Sequence, residues 1–150
     1  MPLKTLVKPL NQWIITQKFG INPNIYKRFG LKGHNGIDLR TRSILSPLGK
    51  IPVFSAQAGV VERVDWSQTG YGFSIRIRHP DGSLTIYGHL SKILVTKKEI
   101  VGIRQQIGIT GSTGFSSGPH LHFEFRPSGW EKLIGNGFAG AVDPIPYIKD

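Results

Sequence analysis

The sequence predicts a mainly β domain, either an antiparallel β-sandwich or a partly open barrel, and three observations favour it. Short runs of alternating apolar and polar residues recur along the chain. Nineteen glycines and ten prolines separate these runs, and no long amphipathic helix is evident. Such a pattern is typical of antiparallel all-β domains. The 150 residues suit one domain of ordinary size, so we expect a single domain over residues 1–150.

The predicted strands follow one another in chain order and are joined by turns and loops. The clearest pair is a hairpin whose turn is Pro-Asp-Gly at 80–82. Residues 127–142 are expected to form a long loop, and 20–36 and 39–50 are candidates for loops that line a cleft. The six predicted strands are 51–56, 59–66, 73–79, 83–90, 106–110 and 120–126.

Charge and composition limit the classes of function. The chain has 19 Lys and Arg residues against 9 Asp and Glu, and residues 1–50 hold nine of the basic residues but a single acid, Asp38. This basic third favours polyanionic partners such as nucleic acid, anionic lipid or a cell-wall polymer. The alternative is that the charge contributes only to solubility. Because cysteine is absent, any metal must be held by His, Asp or Glu. We expect no membrane span and no signal peptide, since no long apolar run occurs.

His34 and Asp38 form the first polar cluster. They lie four residues apart in GHNGIDLR, where Gly33 and Gly36 disfavour a helix. In an extended segment this spacing puts both side chains on one face. Taken alone, the pair fits either metal ligands or two polar surface residues.

His120 and His122 form the second cluster. They share one face of the last predicted strand with Glu124, and apolar residues occupy the other face. The pair fits two metal ligands or an ordinary polar strand face equally well. The preceding GSTGFSSGP favours a functional site, because its small residues leave room for a substrate.

Two more histidines belong to the predicted hairpin. Tyr87 and His89 are expected to share a face of its second strand, since they lie two positions apart. His79 precedes Pro80 at the turn and is expected to be an exposed turn residue.

A zinc site fits this set of residue types. Without thiolates, zinc is held by imidazole nitrogen and carboxylate oxygen, and a catalytic site keeps three protein ligands and a water. Two histidines and one aspartate meet that need, and such a water ionises near neutral pH and can attack an amide carbonyl. Because H-E-x-x-H is absent, the remaining histidines are the natural proton carriers.

The segments GHNGIDLR, YGHLS and GSTGFSSGPHLHFEF resemble, in order and spacing, the lysostaphin-type zinc endopeptidases of bacterial peptidoglycan. The resemblance extends from Phe19-Gly20 to DPIPY at 143–147. It implies an antiparallel β fold of the duplicated hybrid motif type, with a groove lined by loops. It also implies one Zn²⁺ per chain and cleavage of cross-link peptide bonds, either between glycines or at a D-alanyl bond. The implied partners are peptidoglycan stems and cross-bridges, with anionic wall polymers on the basic third.

The resemblance assigns roles to individual residues. Its two non-ligand histidines fall on His89 and His120, which would activate water, stabilise the tetrahedral intermediate and protonate the leaving amine. Tyr71 in TGYGFSI matches an aromatic residue near the family's groove, so it is expected to bind substrate, with plain packing as the alternative. The implied metal ligands are His34, Asp38 and His122.

Two departures from the family pattern concern the groove. The family often has an arginine two residues after its early Phe-Gly, whereas Ile21-Asn22 follows here. The stretch 39–51 is several residues longer than usual in the family. Both changes bear on substrate preference rather than on the chemistry.

Two other classes of function compete with an enzyme. A slow peptidoglycan-docking module of a phage tail or cell-wall complex would suit the basic third, but docking needs neither His89 nor His120. A nucleic-acid-binding protein rests on charge alone, because no helix-turn-helix, zinc finger or RNA-motif aromatic pattern occurs, so we expect no nucleic-acid partner. We therefore expect a monomeric enzyme that acts on the cell wall, as a phage lysis or tail enzyme or as a domain of a larger exported protein.

Overall fold

Nine strands form one sheet in this computed structural model, which describes residues 5–129 and 136–149. Neighbouring strands of the sheet run antiparallel to each other. The strands are Ile15–Gln17 (β1), Ile37–Arg40 (β2), Pro52–Phe54 (β3), Gly59–Ser67 (β4), Gly72–Arg78 (β5), Leu84–Ile93 (β6), Ile100–Val101 (β7), Gln106–Thr110 (β8) and His120–Arg126 (β9).

The strand β6 organises the sheet because it changes neighbour along its length. The main path runs β1-β2-β9-β6-β5-β4-β7, and β8 leaves it to pair with both β6 and β3. Residues 84–88 of β6 pair with β9, whereas residues 90–93 pair with β8. The change of partner falls at His89, where β6 also slips by one residue against β5. This irregularity is a β-bulge, a feature that re-aims the side chain it carries.

One face of the sheet carries the hydrophobic core. Leu121, Phe123 and Phe125 of β9 are fully buried, as are Ile37 and Leu39 of the neighbouring β2. Full burial of one such side chain contributes about 1.5–3 kcal/mol. Because successive side chains of a strand point to opposite faces, the residues between them project from the other face of the sheet. That second face is polar, and the candidate site forms on it.

The fold class predicted from the sequence is confirmed, and all six predicted strands are present with their ends shifted by a few residues. Three further strands are present: β1 and β7 have three and two residues, too few to show an alternation, and β2 has four. Residues 127–129 and 136–142 of the predicted loop form turns and bends with a single bridge from Val142 to Phe125, and 130–135 lie outside the described residues.

The helical segments of the described residues are short. The predicted loop 20–36 contains the helix Pro23–Tyr26 (α1) and a 3-10 turn at Lys27–Phe29, and a second 3-10 turn spans Ile145–Tyr147. Proline at the start of α1 favours the helix because its fixed φ suits the first turn. None of these segments has the length or the apolar character that crossing a bilayer requires.

The prediction for His79 is wrong: its side chain is buried rather than exposed at the turn. Its Nδ1 donates to the Ala58 carbonyl at 2.8 Å, and its Nε2 lies 2.9 Å from the Thr85 hydroxyl. The Thr85 hydroxyl in turn lies 2.9 Å from the hydroxyl of Tyr87, which is also buried. His79 therefore belongs to a hydrogen-bonded chain inside the core, where burial lowers its pKa.

Candidate metal centre and active site

Three side chains converge on the polar face of the sheet. Asp38 of β2 lies opposite His122 of β9 in the strand register, and His34 comes three residues before β2 begins. Their ligand atoms form a nearly equilateral triangle, with His34 Nε2 3.1 Å from Asp38 Oδ1, Asp38 Oδ1 3.2 Å from His122 Nδ1, and the two nitrogens 3.1 Å apart. All three residues are buried.

Backbone and side-chain acceptors on the outer side fix which ring nitrogens point inward. His34 Nδ1 donates to the Lys18 carbonyl at 3.1 Å, so its Nε2 lone pair faces the triangle. His122 Nε2 donates to Glu124 Oε1 at 3.0 Å, which leaves its Nδ1 facing the triangle. With the outer nitrogens protonated, three lone-pair atoms face one another, and a cation bound between them would satisfy all three.

The donor set fits zinc. Tetrahedral zinc with bonds of about 2.0–2.2 Å to nitrogen and oxygen holds its ligand atoms about 3.3 Å apart, close to the separations of this triangle. Two imidazoles and one carboxylate are also the combination expected of a catalytic site, which leaves one position for water. The three residues are therefore suited to hold the metal.

A buried polar network contacts His122 on the side that points away from the triangle. Glu124 is fully buried, and Arg126 donates to its Oε2 at 2.7 Å. Its other oxygen accepts from the Tyr71 hydroxyl at 2.6 Å, and Asn35 Nδ2 donates to that hydroxyl at 3.2 Å. This network fixes the ring orientation of His122, as outer-shell partners of metal-ligating histidines do.

The pKa values follow from this network. Burial opposes a charge on Glu124, but the charge of Arg126 and the hydrogen bond from His122 lower the pKa of Glu124 to about 2. Burial also opposes a charge on His122, but its hydrogen bonds to Asp38 and Glu124 raise the pKa of His122 to about 9. Hydrogen bonds from His122 and His34 hold the pKa of Asp38 well below its usual range, against the effect of burial. Surroundings that favour a proton on His122 equally favour a metal cation at the same atom.

The bulge in β6 points the side chain of His89 toward the site. Its φ of 62° is left-handed, and its ring centroid lies 4.7 Å from that of His120 and 6.0 Å from that of His122. Tyr87, two residues earlier, points into the core against Phe123. The prediction that Tyr87 and His89 share a face is therefore wrong, because the bulge interrupts the alternation between them.

One loop positions both of the remaining histidines. Residues 111–119 join β8 to β9, and within this loop the Thr113 carbonyl accepts from His89 Nδ1 at 2.7 Å. The Gly118 carbonyl accepts from His120 Nδ1 at 2.9 Å. Both imidazoles are therefore held through Nδ1, and Nε2 of His120 lies 3.5 Å from Asp38 Oδ2. Burial and the two neighbouring histidines lower the pKa of His89 to about 3, so its ring is neutral near pH 7.

Two segments meet above the polar face. Tyr26 of α1 packs over the His34 ring at 5.0 Å, which places α1 and the following 3-10 turn on the β2 side of the site. Phe29 of that turn contacts Phe115 of the loop 111–119 with ring centroids 5.5 Å apart. The Arg28 guanidinium lies over the Phe115 ring at 5.1 Å. The two segments that flank the site are thus in contact at this point.

The structure brings together all the residues that the sequence predicts for the site. His34, Asp38 and His122 form the triangle, His89 and His120 stand beside it, and Tyr71 lies 5.5 Å from the His122 ring. The sequence reasoning placed Glu124 on the correct face but gave it no role. It also missed Arg126, although a polar residue at every second position from 120 to 126 was a signal for it.

Comparison with known proteins agrees with this geometry. The chain is 39% identical over 102 residues to the peptidoglycan DD-endopeptidase ShyC of Vibrio cholerae, an alignment that covers 68% of this chain and 22% of that protein. The curated relatives are much longer, since the chain spans only 20–29% of the length of the first three.

Two solved structures share the fold. The catalytic domain of lysostaphin from Staphylococcus simulans superposes with a TM-score of 0.71 at 29% identity, covering 91% of this chain and 92% of that one. A zinc-containing peptidase from Vibrio cholerae superposes with a TM-score of 0.67 at 34% identity, covering 82% of this chain and 37% of that one.

The family model named Peptidase family M23 matches residues 32–133, which include the triangle of His34, Asp38 and His122 as well as His89 and His120. This match extends over more than half of the chain and agrees with the lysostaphin-type motifs seen in the sequence. The chain therefore belongs to peptidase family M23.

Proposed function

We propose that this chain is a zinc-dependent endopeptidase that hydrolyses peptide cross-links of bacterial peptidoglycan, with one zinc per chain. The observation that carries the proposal is the triangle of His34, Asp38 and His122 beside two histidines that are each held through Nδ1 by a backbone carbonyl. The similarity to peptidoglycan endopeptidases supports the substrate class.

In this proposal the triangle holds the zinc, which supplies a Lewis acid and a water that ionises near neutral pH. His89 and His120 act on the open side of the site. Their Nε2 atoms would accept the proton of the attacking water and deliver a proton to the leaving amine. Both rings are held on their other nitrogen by a backbone carbonyl, so no rotation is needed between the two steps.

We assign Tyr71 a positioning role, because its hydroxyl is engaged with Glu124. The side chain is only partly buried, so the ring can still contact a substrate chain as the sequence predicts. The basic residues of 1–50 would bind anionic wall polymers. The enzyme would thus work at the wall, from outside the cell, from the periplasm or from a phage particle.

The first test is the release of new amino groups from purified peptidoglycan with glycine bridges and with direct D-alanyl cross-links. Each reaction is run with and without a zinc chelator, and the cut ends are identified by mass spectrometry. We expect chelator-sensitive release from at least one wall. A zinc-loaded, folded protein that releases nothing from either wall contradicts the proposal and favours a docking module, which needs no free histidines.

Variants separate the metal ligands from the proton carriers. Asp38→Ala and His122→Ala should lose both bound zinc and activity, because a stable catalytic site needs three ligands. His89→Ala and His120→Ala should keep zinc but lose about a hundredfold or more in turnover. His79→Gln is the matched control, since this histidine lies in the core, and it should keep both. A ligand variant with stoichiometric zinc would overturn the assignment.

A further inference from the structure

A turn at residues 43–46 presents aliphatic side chains directly to solvent. Ile44 and Leu45 occupy its two central positions and are 98% and 97% exposed, and Leu48 just beyond is 71% exposed. Scattered single apolar residues are common on protein surfaces, but three within five positions at one loop tip form a contiguous apolar patch. We call these three residues the aliphatic tip. The tip lies between β2 and β3, in the segment 39–51.

Hydrogen bonds hold the aliphatic tip in its exposed position. The Ser43 amide donates to the Ser46 carbonyl at 3.1 Å, and the Ser46 amide donates to the Ser43 carbonyl at 3.2 Å. The Ser46 hydroxyl also donates to the Thr41 carbonyl at 3.1 Å, and the Gly49 amide donates to the Ser46 carbonyl at 3.0 Å. Thr41 and Gly49 are buried at the base of the loop. The turn is therefore closed by its own backbone and anchored to the domain, which keeps the tip from folding back onto the core.

Positive charge surrounds the aliphatic tip. Arg40, Arg42 and Lys50 are exposed on the two arms of the loop. The sequence has no acidic residue between Leu39 and Val61. We call these three basic residues the basic collar. An apolar tip with a basic collar is complementary to an anionic bilayer, because the tip can enter the boundary of the acyl chains while the cations contact the phosphates. An anionic polymer in water would neutralise the collar but would offer nothing apolar to cover the tip.

We propose that the aliphatic tip and its basic collar form a docking surface for an anionic phospholipid bilayer. This inference goes beyond the proposed hydrolysis of peptidoglycan and does not depend on it. The docked protein would hold its site next to the membrane surface rather than free in solution.

The absence of cysteine from the chain permits a clean test. Ile44→Cys is labelled with an environment-sensitive dye and mixed with phosphatidylcholine vesicles with or without phosphatidylglycerol. We expect a blue shift only with the anionic vesicles. Ile100→Cys, labelled in the same way, is the control, because Ile100 is also an exposed aliphatic residue, at 80%, but belongs to β7 at the far end of the strand order. It should give no shift.

Co-sedimentation then tests which groups bind. The double variant Ile44→Ser with Leu45→Ser should bind anionic vesicles at least about tenfold more weakly than the parent, whereas Ile100→Ser should bind normally. Equal binding by the double variant, or no binding by the parent, would overturn the proposal. A blue shift without vesicles that grows with protein concentration would also overturn it, in favour of contact with a second copy of the chain.

Discussion

At the scale of single residues, the carboxylate of Glu124 is fully buried and still charged. Its pKa of about 2 reflects the charge of Arg126 and the hydrogen bond from His122, which together outweigh burial. It also accepts from the Tyr71 hydroxyl at 2.6 Å. A residue that lies outside the triangle thus determines which nitrogen of His122 faces the triangle.

We predict that Glu124→Gln weakens zinc binding by about 10–100-fold, because the amide removes the negative charge that holds the His122 proton on Nε2. The dissociation constant can be measured by competition with a chromophoric chelator. Asp65→Asn is the control, since Asp65 pairs with Arg63 on the surface. Equal zinc affinity in the two variants would show that Glu124 serves only packing.

His89 is the second informative residue, because a β-branched or bulky residue would rarely take its left-handed φ of 62°. We predict that His89→Gly is more stable to urea than His89→Ala by about 1 kcal/mol, since only the alanine has a Cβ that opposes this conformation. The order should reverse at Lys92, an exposed residue of the same strand that is not among those with positive φ. There Gly is expected to be less stable than Ala by about 0.5–1 kcal/mol. The same order at both positions would contradict the prediction.

At the scale of elements, the strand β6 and the loop 111–119 together position the two histidines that stand beside the triangle. The bulge in β6 turns His89 toward His120, and the loop accepts hydrogen bonds from both rings. Gly72 at the start of β5 packs directly beneath this loop. A Cβ at Gly72 would lie 2.5 Å from the Thr113 carbonyl oxygen, so no larger residue fits without moving the loop.

We predict that Gly72→Ala lowers turnover about tenfold or more while zinc stays bound, because the displaced Thr113 carbonyl no longer orients His89. Gly82→Ala is the matched control. Gly82 has a positive φ of 86°, similar to the 66° of Gly72, but a Cβ there would meet nothing within 4 Å. The control should keep its turnover and lose only stability, by about 1 kcal/mol. Equal turnover in the two variants would contradict the role given to Gly72.

The elements that the sequence predicts well are those whose side chains alternate. The strand β9 is read correctly, faces included, because His120, His122 and Glu124 alternate with buried apolar residues. The sequence does not reveal the bulge at His89, since its cause is a change of partner strand between residues distant in the chain. The predicted exposure of His79 is wrong for a similar reason. Its neighbour Pro80 indicates a turn, whereas its burial depends on Ala58, 21 residues earlier.

At the scale of the whole molecule, stability should depend on pH through the buried His79. Burial lowers its pKa, partly countered by the hydrogen bond to Ala58 and the charge of Asp81. The unfolded chain, with an ordinary histidine pKa near 6.5, then binds a proton that the folded protein resists. The contribution of His79 is therefore complete above about pH 6.5 and is lost as the pH falls below that value.

We predict that the free energy of unfolding decreases below about pH 6.5, with His79 contributing at most about 1.4 kcal/mol per pH unit. Urea denaturation of the wild type and His79→Gln at several pH values measures this contribution. The variant should be less stable at pH 7.5 but should show a shallower decrease. Parallel curves for the two proteins would mean that other groups cause the pH dependence.

The loop between β8 and β9 has a consequence for how activity can be lost. Thr113 and Gly118 stand five residues apart in one short connection, and each supplies the carbonyl that orients one histidine. A displacement that carries Thr113 away from His89 also disturbs Gly118 and therefore His120. The two histidines that we propose as proton carriers thus depend on the same loop, so one local change in that loop should impair both of them together.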